Sequence, residues 1–478
     1  MNRTGHLFYG ISAGIKTPAL GKSNLTNLTT RASMAGLIVS VSGIRGIVGE
    51  TLTVEVAMRF ARAFGSQLGK GLVLVGTDGR PSGRMLKHAV CAGLNASGCQ
   101  TMDVGVVPTP TMGVGVTALK AAGGIQITAS HNSAPYNGMK LFGNDGRVIP
   151  APLGEKVKQL YEDNKFNHSK WNEIPGEMQT TDVVGEHIQK IVGVTDVKAI
   201  ANKGWQVLVD ANGGAGGPIT SRLLGALGVK AVLIGEKADG NFAHEPEPIA
   251  ANLTTIGPMI KNAGVHAGFV LDPDADRLAL FNEQGEFLGE ELTLALAARA
   301  RLGEKPGPMV VNMSTSLASE KAALSFKQPC YRSAVGEANV VDMMINKSAV
   351  IGGEGNGGVI DPRIGWVRDP FIGMALILGL MTRENKSLGT LAGETPVFNI
   401  HKDKILMDRG SLDTWYKKVE KTFPDGNIDH TDGLRISWKE KWIHLRPSNT
   451  EPIVRVIAEA PSMEEAIELS GTCKRLAP

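Results

Sequence analysis

The sequence predicts an α/β protein made of three related units and closed by a C-terminal α+β domain. Three stretches carry this reading: "LVLVGTDGRPSG" (72–83), "WQVLVDANGGAGG" (205–217) and "PMVVNMSTSLAS" (308–319). Each joins an apolar, strand-like run to a small polar loop and then to a helical pattern. Further helix and strand patterns follow, such as "MLKHAVCAGLNASG" (85–98) and "SRLLGALGVKAVLIG" (221–235). Strands alternating with helices favour layers with buried, mostly parallel pairing. The three openings recur at domain-sized spacing along 478 residues, which points to repetition of one unit. The 59 glycines, many of them just past apolar runs, suit tight strand-to-loop turns.

Taken in order, residues 1–33 contain Arg3, Lys16, Lys22 and Arg31, many Ser, Thr and Asn, and no acidic residue. They read either as a transit-like extension or as a start placed upstream of a natural beginning at Met34. In both readings they are expected to be poorly ordered and to carry no chemistry. The following units are expected at 34–185, 186–288, 289–393 and 394–478. Within the third, "FIGMALILGLM" (371–381) is too short to span a bilayer and reads as a core helix. The last unit begins after a Gly/Thr/Pro boundary near 389–396, is richer in charge, and reads strand, helix, hairpin-like strands, polar loop, strand, helix.

Composition excludes several classes. A net charge of +3 without a basic, aromatic-laced stripe argues against nucleic acid as the main partner. Cys91, Cys99, Cys330 and Cys473 form neither a disulfide framework nor a paired metal motif, and a reducing cytoplasm is the expected location.

Four polar loops carry chemistry. In "TASHNSAPYNGMK" (128–140), Ser130 lies just past a strand, where ligands bind in α/β sheets, and Asn137–Gly138 is expected to turn Lys140 back toward it. By itself the stretch reads more often as a capped turn than as a reactive serine. In "LDPDADRLAL" (271–280), Asp272, Asp274 and Asp276 alternate, so an extended backbone would point all three carboxylates one way. Like charges so placed are costly without a hard divalent cation, and oxygen-only ligands suit magnesium; Arg277 follows to meet a phosphate. In "GGEGNGGVIDP" (352–362), Glu354 and Asn356 sit among glycines and suit vicinal sugar hydroxyls. In "RPSNTEPIVRV" (446–456), Arg446, Ser448, Asn449, Thr450 and Arg455 suit a phosphate dianion, or else form a capped turn with solvated arginines.

In this order the four loops resemble those of the α-D-phosphohexomutases, from about residue 38 to the end. "SGIRG" (42–46), "GTDGRPSG" (76–83), "GVVPTP" (105–110) and "AVGEANV" (334–340) are similar to further family elements. The resemblance implies three related mixed α/β-sheet domains plus a C-terminal α+β domain around a central cleft. It implies a phosphoserine at Ser130, a Mg2+ ion held by that phosphate with Asp272, Asp274 and Asp276, and a hexose 1,6-bisphosphate activator. Arg45, His131, Lys140 and Arg277 match positions near the transferred phosphoryl group, and the C-terminal loop would grip the other phosphate. The implied activity exchanges hexose 1-phosphate and 6-phosphate. Its partner is a small phosphosugar, with no nucleic acid and no membrane, and the chain is expected to be a monomer or homodimer. Glucosamine phosphate is favoured by analogy of chain length; mannose or glucose phosphate, and a metal-dependent sugar-phosphate phosphatase, are the alternatives. Two positions depart from the family pattern. Ser133 replaces a proline, and Glu354–Gly358 reads Glu–Gly–Asn–Gly–Gly where many members read Glu–x–Ser–Gly–His. Lys140, His131 or the phosphate itself then remain as the acid or base.

Overall fold

A computed structural model describes residues 36–175, 181–448 and 452–478. The expectation for residues 1–33 lies outside the described residues, as do Asn449 and Thr450. Three sheets share one connectivity. In the first, Gly71–Thr77 pairs in parallel with Cys99–Val106 on one side and Gly123–Ile127 on the other, and Tyr136–Gly143 returns antiparallel beside Gly123–Ile127. Two antiparallel strands, Gly43–Ile47 and Ile38–Ser40, extend that edge. The second sheet sets Gln206–Asp210 between Lys230–Ile234 and Ala267–Leu271, all parallel, with Leu278–Phe281 returning antiparallel and Phe287–Gly289 beyond it. The third sets Met309–Asn312 between Cys330–Ser333 and Ile351–Glu354, with Gly358–Ile360 returning. The sheets are therefore mixed, and the repetition is one of topology.

This connectivity places the chemistry. In every sheet the third parallel strand is buried along its whole length and leads into a hairpin back to the antiparallel strand. Those three hairpins contain Ser130, the aspartates of 272–276, and Asn356. Two expectations change in detail. Asn137 and Gly138 lie inside Tyr136–Gly143 instead of forming the turn, which falls at Ser133–Tyr136 (Tyr136 N–H donates to Ser133 O, 3.1 Å). Gly138 is glycine because a Cβ there would meet the Ile44 carbonyl oxygen of the neighbouring strand at 2.3 Å. Likewise the aspartates converge through a turn, not by strand alternation. Ala275 N–H donates to Asp272 O at 2.9 Å and Ala275 takes φ +49°, a left-handed conformation that folds the chain tightly.

The fourth sheet is antiparallel, in the order Asn399–Leu406, Ile453–Ala460, Trp442–Pro447, Leu434–Ser437, Asn427–Asp429. It is covered by Leu412–Thr422 and Met463–Arg475, around a core of its own that includes Trp415, Leu445 and Val456. By contrast, one apolar core runs through the second and third sheets, from Ile191 and Leu223 to Phe371 and Leu391. Its axis is the helix Pro370–Glu384, apolar on nearly every side because it is packed on nearly every side. Asp369 starts that helix: its Oδ1 accepts from Phe371 N–H (2.9 Å) and Ile372 N–H (3.3 Å), with proline at the first helical position. No helix among the described residues is long and apolar enough to cross a membrane.

Phe371 is fully buried in this shared core. Phe371→Ala is expected to destabilise the second and third units together by about 3–5 kcal/mol, leaving the C-terminal sheet unaffected. Urea unfolding followed by hydrogen exchange on both regions checks this; loss confined to the third unit would contradict a continuous core.

Candidate active site

Ser130 is 3% exposed and takes φ +51°, a conformation that a non-glycine residue holds only when its surroundings impose it. Arg80 imposes it. Its guanidinium donates to the carbonyl oxygens of Ser130 (2.8 Å), Asn132 (2.5 Å), Ser133 (2.8 Å) and Tyr136 (3.0 Å), so one side chain grips the whole loop from inside. Asp78 neutralises Arg80 at 3.0 Å and accepts from Thr128 Oγ1 at 2.7 Å, while Thr128 Oγ1 accepts from Ser130 N–H at 2.8 Å. The Ser130 hydroxyl then lies 3.2 Å from Asp272 Oδ2, toward which it donates, and 3.3 Å from His131 Nδ1. Burial first, and then Arg277 and Arg45, push the His131 pKa down to about 3, so its imidazole is neutral. Arg45 Nη1 donates to Asn132 Oδ1.

Asp272, Asp274 and Asp276 are all fully buried, with one oxygen of each inside 4.8 Å of the others. Asp272 Oδ1 accepts the backbone N–H of Asp276 (3.0 Å) and Arg277 (3.1 Å). Asp274 Oδ2 accepts from Thr109 Oγ1 (2.6 Å) and Lys140 Nζ (2.7 Å), and Asp276 Oδ2 from Lys140 Nζ (2.6 Å) and Arg368 Nη2 (2.6 Å). That leaves Asp274 Oδ1 and Asp276 Oδ1 buried with no hydrogen-bond partner among the described residues. Burial and the two neighbouring carboxylates push the Asp272 carboxyl well above its usual range. Burial opposes ionisation of Asp276 too, but Arg368 and Lys140 hold it far below. Three buried carboxylates with one oxygen each within 4.8 Å of the others, and two carboxylate oxygens unpartnered among the described residues, fit a hard divalent cation such as Mg2+. Lys140 does not pair with Ser130 directly. It pairs with Asp274 and Asp276, which outweigh its burial and raise its pKa, so it is firmly a cation. The Arg277 guanidinium Nε lies 3.9 Å from Asp272 and 3.8 Å from Asp276, with Nη1 3.4 Å from Glu247.

In the third hairpin, Glu354 is 4% exposed. Its Oε1 accepts from Asn312 Nδ2 (2.8 Å) and Gly336 N–H (3.0 Å), and its Oε2 from Arg368 Nη1 (2.7 Å). Asn356 Oδ1 has no hydrogen-bond partner among the described residues. In the C-terminal sheet, Lys404, Arg455 and Arg446 lie directly opposite one another on three adjacent strands. Like charges so placed repel, and an anion relieves them. Arg446 is steadied by Asp432 at 2.8 Å, and the Ser448 carbonyl accepts from Arg409 at 3.0 Å. One cleft of 1380 Å³ is lined by Arg45, His131, Lys140, Arg277, Glu354, Asn356, Lys404, Arg446 and Arg455.

Comparison with known proteins follows the same division. Residues 36–168, 185–285 and 289–398 match the phosphoglucomutase/phosphomannomutase alpha/beta/alpha domains I, II and III, and 409–470 matches that family's C-terminal domain. The chain belongs to this family. It is 36% identical to a phosphoglucomutase/phosphomannomutase of Thermococcus kodakarensis over 91% of this chain and 96% of that one. It is 32% identical to a probable phosphoglucosamine mutase of Methanopyrus kandleri, with the same two coverages of 91% and 96%. A crystal structure of a phosphoglucomutase/phosphomannomutase family protein from Burkholderia thailandensis superposes with TM-score 0.81 at 26% identity, over 92% of this chain and 96% of that one. The protein is thus a phosphohexomutase by family, an enzyme of the isomerase class.

Several residues that build this candidate site were not singled out from the sequence. Arg80, Thr109 and Glu337 lie in the accessory stretches quoted above: Arg80 holds the Ser130 hairpin and Thr109 the Asp274 hairpin, while Glu337 holds Arg368. Lys404 is found only once the strand register is known. Arg368 gave no signal beyond a charged residue ahead of an apolar run. Another brace is His244, which joins the loop 236–247 to the second sheet. Its Nε2 lies 2.8 Å from Asp210 Oδ2 and its Nδ1 2.8 Å from Glu245 O. The same loop stacks Phe242 under Arg80 (4.9 Å) and brings Glu247 to Arg277.

Burial alone would lower the His244 pKa, but the hydrogen bonds to Asp210 and Glu245 raise it overall. A raised imidazole stabilises the fold fully below its unfolded value of about 6.5, and that contribution is lost as pH climbs through the folded value. The stability difference between wild type and His244→Asn is therefore expected to be larger at acidic pH than at pH 9. Equal differences in urea titrations at the two pH values would contradict the clasp.

Proposed function

We propose that the protein interconverts hexose 1-phosphates and 6-phosphates through a phosphoserine at Ser130 and a bisphosphorylated sugar, with glucosamine phosphate as the preferred sugar. The observation that carries this reading is the Ser130 hydroxyl, held at φ +51° and reaching Asp272 at 3.2 Å beside two orphaned carboxylate oxygens. In the forward step the Ser130 Oγ–phosphorus bond breaks as a bond forms from phosphorus to a sugar hydroxyl oxygen. The return step transfers the other phosphoryl group of the bisphosphate to Ser130. Mg2+, when bound by Asp272, Asp274 and Asp276, supplies positive charge against the phosphoryl oxygens. Lys140, Arg277 and Arg45 add cationic charge along the same wall of the cleft, and charge stabilisation is the main demand of phosphoryl transfer. Proton transfer is left to Lys140, His131 or the phosphoryl oxygens.

On this reading Glu354 and Asn356 receive sugar hydroxyls, and Arg446, Arg455 and Lys404, with Ser448, Asn449 and Thr450, hold the phosphate that is not being transferred. A dedicated second phosphate grip serves a bisphosphate that must be held and reoriented, and it is superfluous for simple hydrolysis. A hexose 1,6-bisphosphate would charge Ser130 at the outset. Mixed action on glucose and mannose phosphates is the second reading, favoured by the name of the Thermococcus relative and by the fact that all three sugars share hydroxyls 3 and 4.

Intact mass spectrometry is expected to show one phosphate on the purified chain, absent from Ser130→Ala. In coupled assays with glucosamine, mannose and glucose phosphates, Ser130→Ala is expected to lose at least about 1000-fold in kcat. Wild-type protein that isomerises none of the three with Mg2+ and activator, yet releases free phosphate quickly, would overturn the mutase reading in favour of a phosphatase.

A further inference from the structure

We propose that Arg368 is a positioning residue that locks the metal-side carboxylate Asp276 and the sugar-side carboxylate Glu354 into one assembly, and that Gly358 lacks a side chain to make room for it. The roles given to the two carboxylates rest on the mutase reading; the link between them does not. Arg368 is 8% exposed, and its two terminal nitrogens are divided between two hairpins of different units: Nη2 to Asp276 at 2.6 Å, Nη1 to Glu354 at 2.7 Å. Glu337 steadies it from a third direction, accepting its backbone N–H at 2.8 Å and lying 3.5 Å from Nε. A planar guanidinium fixes both carboxylates at once, which a lysine ammonium at this position would not do.

The backbone of Arg368 is itself pinned by its neighbour. Asp369 N–H donates to Val359 O at 2.7 Å, its Oδ1 caps the helix Pro370–Glu384, and its Oδ2 lies 2.8 Å from His187 Nε2, whose Nδ1 lies 2.9 Å from Thr111 Oγ1. Threonine, histidine and aspartate come from the first, second and third units, so Arg368 projects from the point where all three meet. Gly358 faces its stem. A Cβ at 358 would stand 2.2 Å from Arg368 Cδ and 2.8 Å from Cγ, closer than any side chain tolerates. Gly358 is not in the left-handed region, so space and not backbone conformation demands glycine there. The adjacent Gly357 differs: it takes φ +87°, and a Cβ there would strike Leu278 O at 2.3 Å.

Arg368 also shares Asp276 Oδ2 with Lys140, and Oδ1 is left without a hydrogen-bond partner among the described residues. Losing Arg368 releases Asp276 and Glu354 together, so metal and sugar binding are expected to fall in concert. Gly358→Ala, Arg368→Met and the double variant test this in steady-state isomerisation, and in calorimetric binding of Mn2+ and of glucose 1-phosphate. Each single variant is expected to lose at least about 30-fold in kcat/KM, with KM raised and kcat lowered. The double variant is expected to be within about threefold of the worse single one, because residues acting as one unit are non-additive. Binding of both probes is expected to weaken in each variant, a response that a merely structural arginine would not give in protein that remains folded. Losses that multiply in the double variant, or a Gly358→Ala protein with wild-type constants and wild-type binding, would overturn the proposal. If Arg368→Met fails to fold, Gly358→Ala alone decides by the same criteria. A wild-type protein without isomerase activity would refute the mutase reading instead, and the two binding measurements would still report on the link.

Discussion

Asp272, Asp274 and Asp276 hold one oxygen each within 4.8 Å of the others, in a place where water does not reach. Two unit charges 4 Å apart repel by about 4 kcal/mol even at an effective dielectric constant of 20, and three such charges are untenable alone. The surrounding structure is organised by that repulsion. Lys140 comes from the first unit, Arg277 from the same loop, and Arg368 from the third, so the cations that compensate the cluster also draw three units to one point. Their charge is not enough to keep Asp272 in its ordinary range, and two oxygens are left with no donor. Such a cluster fits a further cation such as Mg2+.

One chain connectivity, used three times, makes this meeting possible. Each of the first three sheets sends its third parallel strand into a hairpin, and the three hairpins supply the serine, the aspartates and the Glu354–Asn356 loop. Function has diverged at equivalent places on equivalent scaffolds. The braces behind the hairpins have diverged with it: Arg80 clamps carbonyl oxygens, Thr109 caps Asp274, and Arg368 joins two loops. The C-terminal sheet stands outside the repetition and contributes a row of cations instead.

The apolar strands and polar loops made the fold readable in the sequence, because buried parallel strands are continuous apolar runs and their carboxyl ends carry the ligand groups. The alternating aspartates were legible as a metal cluster, although the reason given by the pattern was the wrong one: Ala275 at φ +49° makes a turn that no alternation rule anticipates. Lys140 was legible as a site residue, but its pairing with Asp274 and Asp276 depends on the register of Gly123–Ile127 against Tyr136–Gly143, which is a tertiary fact. Arg368 could not be found by any local pattern, since its importance lies wholly in what two distant loops present to it. Lys404 shows the same limit, being separated from Arg446 by 42 residues of sequence and by one strand in space.

Anomalous scattering from crystals soaked in Mn2+ decides whether the three buried aspartates form a metal site. One strong peak per chain is expected, bonded to an oxygen of each of Asp272, Asp274 and Asp276 and adjacent to the Ser130 oxygen. No peak at the triad, or a peak bound elsewhere while the triad stays metal-free at saturating Mn2+, would contradict it.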